Sequence, residues 1–365
     1  MILRAKWVLP VSQPPIEDGA VVVAGNLITA VGRWRDLAGN GARDLGEVAL
    51  LPGLINAHCH LDYTDMRGLL PWRGEFFDWI HRITALKKRW SAEQYRQSIR
   101  HGLAEAVATG TTTLVNAGGS GEAVVESACR VWWCVELVDL VWSEESRRRA
   151  EAAERWVATH QPAGLAPHAS YTVSEQLYRL AAKMAREQGW LLTTHVAETR
   201  DEDRRWHAAL GANCLAAHAN WITDAEAAEM ARTQTSVVHC PRTHRFFERP
   251  PAPVELWRQY GVNVCLGTDS LASNESLDLR AEMREFARAW PQVPAEGILE
   301  MVTVNPARVL SQTGRGRKPA PTGTLEVGAV ADLIAVPAPG ETYASVVTGT
   351  DAVNFVMVEG HVAVG

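Results

Sequence analysis

The sequence lacks the features of a disulfide-stapled, membrane-spanning or nucleic-acid-binding protein. Its six cysteines, at positions 59, 129, 134, 214, 240 and 265, form no CxxC pair, so neither a disulfide framework nor a zinc ribbon is indicated. No apolar run approaches a membrane span, and residues 1–6 hold no signal-peptide core. The net charge of −6 comes without a basic stripe, which argues against a nucleic-acid partner. We therefore expect a cytoplasmic protein with free thiols.

Both ends of the chain carry short apolar runs that are separated by Gly and Asn turns, as in residues 20–31 and 353–364. This pattern is typical of β-hairpins. Because the two ends of a chain often lie close together, we expect residues 1–50 and 322–365 to form one composite β-sandwich. Residues 51–321 are expected to form a barrel, with the Gly-, Arg- and Pro-rich stretch 313–321 as its exit.

Within residues 51–321, apolar β-rich runs alternate with helical patterns. Eight strands are predicted, at Leu54–His58, Thr112–Asn116, Trp132–Leu137, Gly164–His168, Leu191–His195, Cys214–His218, Ser236–His239 and Val262–Asp269. Helices are predicted near 91–108, 121–129, 144–159, 174–188, 199–210, 223–233, 252–260 and 276–289. Alternation of this kind predicts an α/β fold of the (β/α)8 type, the TIM barrel.

Polar residues with metal-binding chemistry occur at the ends of these strands. Six of the twelve histidines lie there: His58, His60, His168, His195, His218 and His239. Asp269 ends the eighth strand. In His58-Cys59-His60, both imidazoles can point to one side of a strand, and imidazole is a common ligand of zinc. Catalytic groups of this barrel type sit at the carboxyl ends of strands, so the set indicates one site.

Glu198 follows His195 by three residues, where its carboxylate can reach a metal-bound water without binding the metal. The alternative is an acid that complements the dipole at a helix N-terminus. The cytidine-deaminase type of zinc site is excluded, because it needs a PCxxC motif that this sequence does not contain.

Several motifs together resemble the amidohydrolase superfamily, in its aminohydrolase branch of deaminases and triazine hydrolases. They are the runs Leu51–His60, Pro167–Tyr171, Thr194–Glu198, Ala217–His218, Val238–Pro241, Gly267–Ser270 and Gly323–Leu333. The resemblance covers essentially the whole chain. It implies a barrel joined to a composite sandwich, and it is specific for the branch rather than for a substrate.

The resemblance also implies the role of each residue. His58, His60, His195 and Asp269 are similar to the ligands of one divalent metal, with Zn²⁺ expected and Fe²⁺ as the alternative. His218 is similar to the histidine that orients the water and polarises the substrate. Glu198 is similar to the proton shuttle, so Glu198, His218 and Asp269 form the expected catalytic group.

Two-metal relatives carry a carboxylated lysine at the end of the fourth strand. This chain has lysine only at 6, 87, 88, 183 and 318, and its fourth strand ends in His168. A single metal is therefore expected.

Residues that contact the substrate are predicted with alternatives. His168 resembles a residue that contacts the substrate ring, and His239 has a direct or a supporting role. Asp78 and Trp79 lie where relatives contact a ribose, although amphipathic helix packing explains the run 76–80 equally well. Arg242 is able to clamp a carboxylate or to act as a structural loop arginine. His244 replaces the asparagine usual in the family.

The expected function is hydrolytic deamination of an aminated heterocycle, an adenine nucleoside such as aminodeoxyfutalosine, with release of ammonia. The alternatives are another purine or nucleoside deaminase, of the S-adenosylhomocysteine or guanine type, or a triazine-type hydrolase. From different classes, a two-metal cyclic amide hydrolase and a non-catalytic metal- or ligand-binding barrel stay open. The expected partner is a small-molecule substrate, with homo-oligomer formation possible and neither nucleic acid nor membrane involved.

Overall fold

A computed structural model describes residues 1–118, 124–314, 320–338 and 342–365. Its strands are β1 (Ile2–Val8), β2 (Ile16–Ala24), β3 (Leu27–Arg33), β4 (Ala42–Asp44), β5 (Val48–Pro52), β6 (Leu54–His60), β7 (Thr111–Gly118), β8 (Arg130–Leu137), β9 (Ala163–Pro167), β10 (Leu191–Val196), β11 (Cys214–His218), β12 (Ser236–His239), β13 (Val264–Leu266), β14 (Asp269–Ser270), β15 (Leu333–Pro337), β16 (Phe355–Val358) and β17 (His361–Val364).

The helices are α1 (Trp34–Leu37), α2 (Phe76–Lys87), α3 (Ala92–Ala108), α4 (Glu144–Thr159), α5 (Glu175–Gln188), α6 (Asp224–Thr233), α7 (Pro241–Phe246), α8 (Val254–Gln259), α9 (Leu279–Ala289), α10 (Ala295–Glu300), α11 (Val304–Leu310) and α12 (Thr342–Thr348). Short 3-10 turns occur at Leu61–Met66 and Arg205–Ala209. No helix in these described ranges has the length and hydropathy needed to cross a membrane.

Strands from both ends of the chain form one mixed sheet. Its order is β17-β16-β15-β5-β1-β2-β3, with β4 also paired to β1. The β15–β5 pairing joins the two ends, with Ile334 opposite Leu51. One core face of this sheet buries Leu3, Val21, Leu50, Leu333 and Phe355. The division of the chain into 1–50 plus 322–365 and 51–321 stays a prediction.

The second sheet is parallel throughout and has the order β13-β12-β11-β10-β9-β8-β7-β6-β14. Because β14 continues from β13 and pairs with β6, the sheet closes on itself, which confirms the predicted TIM-barrel class. Inward-facing residues pack as one cluster over α11: Ile55, Val115, Trp132, Leu215 and Val238 belong to it. Their neighbours along each strand face the helices, as side chains alternate across a strand.

Local capping explains where several helices begin. Ser174 caps α5 by accepting a hydrogen bond from the Leu177 N–H at 3.2 Å, and Glu175 lies in the first turn, as predicted. Ser91 and Gln94 form a capping box at the start of α3. These polar caps set the first residues of α3 and α5.

Two predicted helices are wrong. Residues 124–129 contain no helix, and the rest of the predicted stretch 121–129 lies outside the described residues. Residues 199–210 contain only the 3-10 turn at Arg205–Ala209. There, Arg204 donates to Glu226 at 2.6 Å and to the Trp221 carbonyl at 3.1 Å, so tertiary contacts override the helical pattern. The units after β7 and β10 therefore differ from the ideal (β/α)8 pattern.

One buried ion pair links the two sheets. Arg130, at the start of β8, donates to Asp332 at 2.9 Å and to Glu359 at 2.8 Å. The Asp332 side chain is only 4% exposed. Replacement Arg130→Met leaves this carboxylate buried without its cation, so we expect a loss of about 3–5 kcal/mol in the free energy of urea unfolding.

A matched control is Arg147→Met on the exposed face of α4, where Arg147 pairs with Glu144 at 2.6 Å. Exposed pairs contribute little, so its loss should stay below about 1 kcal/mol. Equal, small losses in both variants would contradict the assigned role of the Arg130 pair.

Candidate metal-binding active site

The two histidines of β6 point into the carboxyl end of the barrel. The β6–β7 register shifts between Asn56 and Cys59, and His58 and His60 then lie on one side of the strand. Cys59 is fully buried in the core that faces the helices, and its Sγ lies 3.4 Å from the Val115 carbonyl. The strand therefore separates the thiol from the site, as its alternation predicts.

Three further strands bring His195, His218 and Asp269 to the same place. His58 Nε2 lies 3.7 Å from Asp269 Oδ1, and His60 Nε2 lies 3.6 Å from the same oxygen. His218 Nε2 is 4.0 Å from Asp269 Oδ2. The ligand atoms of His58, His195, His218 and Asp269 all lie within 4.8 Å of one another, so these residues form a His/Asp metal site.

The backbone at this edge adopts left-handed conformations. His218 has φ 72° and Asp269 has φ 56°. Neither residue is a glycine, so each costs conformational energy, which the packed barrel ends sustain. Strain of this kind is common where a side chain is aimed at a functional site.

The imidazoles fit a divalent cation. His60 Nδ1 donates to the Ala117 carbonyl at 2.6 Å, and His195 Nδ1 donates to the His168 carbonyl at 2.8 Å. Each ring therefore keeps a free lone pair on Nε2, the arrangement found in metal-binding histidines. The Nε2 atoms of His58 and His218 are buried and find no hydrogen-bond partner among the described residues. Imidazoles plus one carboxylate are the donor set that zinc prefers.

Burial keeps these groups in the ligating state. Desolvation lowers the pKa of His58, His60 and His218, so their rings stay neutral near pH 7. Burial alone would raise the pKa of Asp269, but the contact with His58 and the neighbouring imidazoles outweigh it and hold that pKa below its usual range. Neutral imidazoles and an ionised carboxylate need no proton loss before they bind a cation.

Glu198 lies beside this cluster with both of its oxygens hydrogen-bonded. Tyr171 donates its hydroxyl to Oε2 at 2.9 Å, and Arg249 Nη2 donates to Oε1 at 3.1 Å. His218 Nε2 lies 3.6 Å from Oε1. The preceding Ala197 has φ 44°, and the Glu198 N–H donates to Glu202 at 2.8 Å. This is a turn that directs the carboxylate into the site and not the first turn of an α-helix.

A cavity of about 310 Å³ leads to these residues. That volume lies in the range of small-molecule sites, roughly 300–1,000 Å³. Its lining includes His60, Trp79, His168, His195, Glu198 and Asp269, together with Tyr63, Ile80, Ile83, Val138, Leu140, Tyr171 and Phe247. The predicted contacts His168 and Trp79 thus face the cavity, and their roles stay predictions.

Three predicted substrate contacts lie elsewhere. Asp78 is half exposed and accepts a hydrogen bond from Arg82 at 2.9 Å, one helical turn along α2. Arg242 pairs with Glu275 at 2.6 Å and lines a second cavity. His239 faces the helices, because its ring lies 5.4 Å from that of Trp290 in the core on that side of the sheet. Asp78, Arg242 and His239 therefore do not line this cavity, and the structural alternative given for each of them is favoured, while their roles stay predictions.

Sequence reasoning also missed three residues. Tyr171 lies three positions after His168 in the run Pro167–Tyr171. That run supported the family resemblance, but no role was predicted for its tyrosine. Glu136 has a detectable signal, because it continues the inward positions Trp132 and Cys134 of β8 as a lone carboxylate. Arg249 has no such signal, since the loop after α7 brings it to Glu198 from far along the chain.

His244 holds that loop. Its Nε2 donates to the Pro250 carbonyl at 2.6 Å, and Nδ1 lies 3.1 Å from the side-chain amide of Asn220. Desolvation lowers the pKa of His244 to about 4, so the ring is neutral near pH 7. His244 thus makes structural contacts of its own at this position.

A model of the family described as "Amidohydrolase family" matches residues 49–363. A 5-methylthioadenosine/S-adenosylhomocysteine deaminase of Moorella thermoacetica is 31% identical, with 92% of this chain and 85% of that protein covered. Among solved structures, a zinc-bound adenosine deaminase of Xanthomonas campestris superposes with a TM-score of 0.86 at 23% identity, over 100% of this chain and 92% of that one.

An aminofutalosine deaminase of Helicobacter pylori, solved with methylthio-coformycin, gives a TM-score of 0.85 at 18% identity, with 100% of each chain covered. At these identities the two solved structures show the fold alone. They confirm the predicted barrel architecture, and the family model over residues 49–363 confirms the predicted superfamily.

We expect His244→Gln to reduce the loss of stability on acidification. An unfolded histidine has a pKa near 6.5, whereas the folded pKa is about 4. The neutral ring therefore contributes stability that is present above pH 6.5 and is lost as the pH falls towards 4. At pH 5 the loss from this one group is about 2 kcal/mol. Urea unfolding of both proteins at pH 7 and pH 5 measures it.

A matched control is His81→Gln, since His81 is an exposed residue of α2. This control should keep the pH dependence of the wild type. If His244→Gln also kept the full pH dependence, the assignment of His244 as a buried neutral histidine would be contradicted.

Proposed function

The chain belongs to the amidohydrolase family, and we propose that it is a hydrolytic deaminase of an adenine nucleoside that works with one divalent cation. The observation that carries this proposal is the Glu198 carboxylate, which lines the cavity beside the cluster of imidazoles and Asp269. A proton-transfer group next to a cation site is what hydrolysis at an aminated ring carbon requires.

His58, His60, His195 and Asp269 would hold the cation, as the family resemblance implies. His218 is the alternative to His60 as a ligand. Its ligand atom lies within 4.8 Å of those of His58, His195 and Asp269. When bound, a divalent cation such as Zn²⁺ supplies Lewis-acid charge that lowers the pKa of a water molecule towards ~7. The protein residues then have to place that water, the substrate ring and one mobile proton.

Glu198 moves the proton. One oxygen accepts the proton of the attacking water and returns it to a nitrogen of the ring, so that water adds across the carbon–nitrogen bond. Asp269 and His218 orient the water, since His218 Nε2 lies between Asp269 and Glu198 at 4.0 and 3.6 Å. Glu198 then transfers the remaining hydroxyl proton to the exocyclic amine, so that ammonia leaves the tetrahedral carbon and the oxo product forms. Atoms balance as one water consumed and one ammonia released.

The shape of the cavity supports a nucleoside as the substrate. Next to His168 and Tyr171, apolar side chains such as Trp79, Ile83 and Phe247 provide the contact surface that a purine ring requires. The interpretation as an aminodeoxyfutalosine deaminase depended partly on Arg242, which lines the other cavity. Among the described residues, Lys87 is the only lysine or arginine that lines this cavity, so a substrate carboxylate would have to reach Lys87.

The first prediction concerns turnover. We expect the wild type, purified without chelator, to release ammonia from at least one of adenosine, 5′-deoxyadenosine, 5′-methylthioadenosine or a 5′-carboxylated analogue. Glu198→Gln should keep its metal content but lower kcat by about 10²–10⁴-fold, because a positioned general acid–base contributes that much. Mass spectrometry of bound metal and an enzyme-coupled ammonia assay check both results.

The control is Glu175→Gln, an exposed residue of α5, which should keep wild-type turnover. Glu198→Gln with wild-type kcat would exclude the shuttle. Two metals per chain with hydrolysis of cyclic amides would favour the two-metal class, and chloride release from a chlorotriazine would favour a triazine-type hydrolase.

The second prediction concerns the ribose. Glu136 lines the cavity, its side chain is 8% exposed, and no donor among the described residues bonds to it. Its nearest cation is Lys87, at 4.0 Å. A buried carboxylate of this kind suits the hydroxyls of a ribose, and losing a hydrogen bond to a charged group costs about 1.5–3 kcal/mol. The wild type should therefore prefer adenosine over 2′- or 3′-deoxyadenosine by roughly 10–100-fold in kcat/KM.

Glu136→Met should reduce that preference to about threefold or less, while Thr84→Val, at another position of the cavity wall, should leave it unchanged. An unchanged preference in Glu136→Met would show that the ribose hydroxyls are bound elsewhere.

A further inference from the structure

Arg249 contacts the Glu198 carboxylate from outside the cavity lining. Its Nη2 donates to Glu198 Oε1 at 3.1 Å, and the two side chains are 8% and 6% exposed. Arg249 is therefore a buried cation whose partner is the group that moves the proton. The cavity wall next to it is formed by Phe247 and Glu198.

Two aromatic rings hold the guanidinium in place. Its central carbon lies 5.2 Å from the ring centroid of Phe76 and 4.8 Å from that of Phe247. Contacts of this kind are favourable for arginine and fix the plane of the group. The backbone is fixed as well, because the Arg249 N–H donates to the His244 carbonyl at 3.3 Å and His244 holds Pro250.

The Glu198 carboxylate is held from opposite sides. Oε1 accepts from Arg249 and Oε2 accepts from Tyr171 at 2.9 Å, while the Glu198 backbone is fixed by Glu202. An ionised carboxylate has about four acceptor positions, so each oxygen keeps one lone pair for water or substrate. The two donors thus define where the remaining lone pairs point.

Packing alone gives no reason for a charge at this position. A buried ion pair contributes little net stability compared with apolar side chains of similar size. Arg249 Nη1 is also buried without a hydrogen-bond partner in the described part of the chain, which adds a cost. The arrangement is therefore better explained by what it does to Glu198.

We propose that Arg249 is a positioning residue of the deamination reaction, which fixes the Glu198 carboxylate between the cation site and the substrate ring. The inference rests on the proposed function for its kinetic consequence. The geometry of Glu198 is a separate consequence that requires no turnover. Arg249 acts through Glu198 and makes no contact with the substrate in this scheme.

The test compares Arg249→Met, Arg249→Lys and Arg249→Ala with Arg245→Met, a half-exposed arginine of α7. We expect Arg249→Met to lower kcat by at least about 100-fold, because a misplaced acid–base loses most of its contribution. KM should stay within threefold and metal content should be unchanged. Arg249→Lys should recover only part of kcat, since an ammonium lacks the planar fork. Arg245→Met should behave as the wild type.

Two further readouts separate positioning from a structural role. Added guanidinium should raise the kcat of Arg249→Ala at least tenfold and should leave the kcat of Glu198→Gln unchanged. The crystal structure of Arg249→Met should show the Glu198 carboxylate displaced or in more than one position. Retained kcat, or a Glu198 carboxylate unmoved in that crystal, would overturn the proposal.

Loss of kcat together with loss of metal or of folded protein would overturn it as well, in favour of a structural role. If the wild type deaminates no nucleoside, the proposed function fails, and the position of Glu198 in the Arg249→Met crystal still decides the role of Arg249.

Discussion

The direction of each side chain at the carboxyl edge of the closed parallel sheet decides which residues of this chain reach the site. Ile55, Val115 and Val238 fill the barrel, and groups that bind or move charge lie beyond this layer at the carboxyl edge. His239 stands at a strand end like His195, but it follows an inward-facing valine and packs against Trp290 instead. Being at the end of a strand is therefore not sufficient. His58 also follows an inward position, and the register shift between Asn56 and Cys59 places its ring in the site, as the left-handed backbone of His218 does for that ring.

Much of the fold could be predicted because its signals are local. Apolar runs define the barrel strands, and a serine followed by an acid marks the start of α5. The stretch 199–210 could not be predicted, because Arg204 is held by Glu226 and the Trp221 carbonyl, which are distant in sequence. The same holds for the mixed sheet: its two halves look like hairpins, but only the β5–β15 register joins them.

The site divides in the same way. Residues on strands, such as His58, His60 and Asp269, could be predicted from position and residue type. Residues on loops could not be predicted in this way. Arg242 looked suited to bind a substrate carboxylate, but it already pairs with Glu275. Arg249 has no motif around it, and yet it contacts Glu198. In a buried site each charge needs a partner, so the partners of Asp269 and Glu198 determine the chemistry. Those partners come from separate strands and loops, and only the folded chain brings them together.

The site described above should bind one divalent cation where these strand ends meet. Anomalous diffraction at the zinc edge, on crystals of protein purified without chelator, measures this occupancy. We predict a single peak per chain among the Nε2 atoms of His58 and His195 and the carboxylate of Asp269, and the ring nearest to it decides between His60 and His218. Two peaks in this site, or a peak only at another place in the chain, would contradict it.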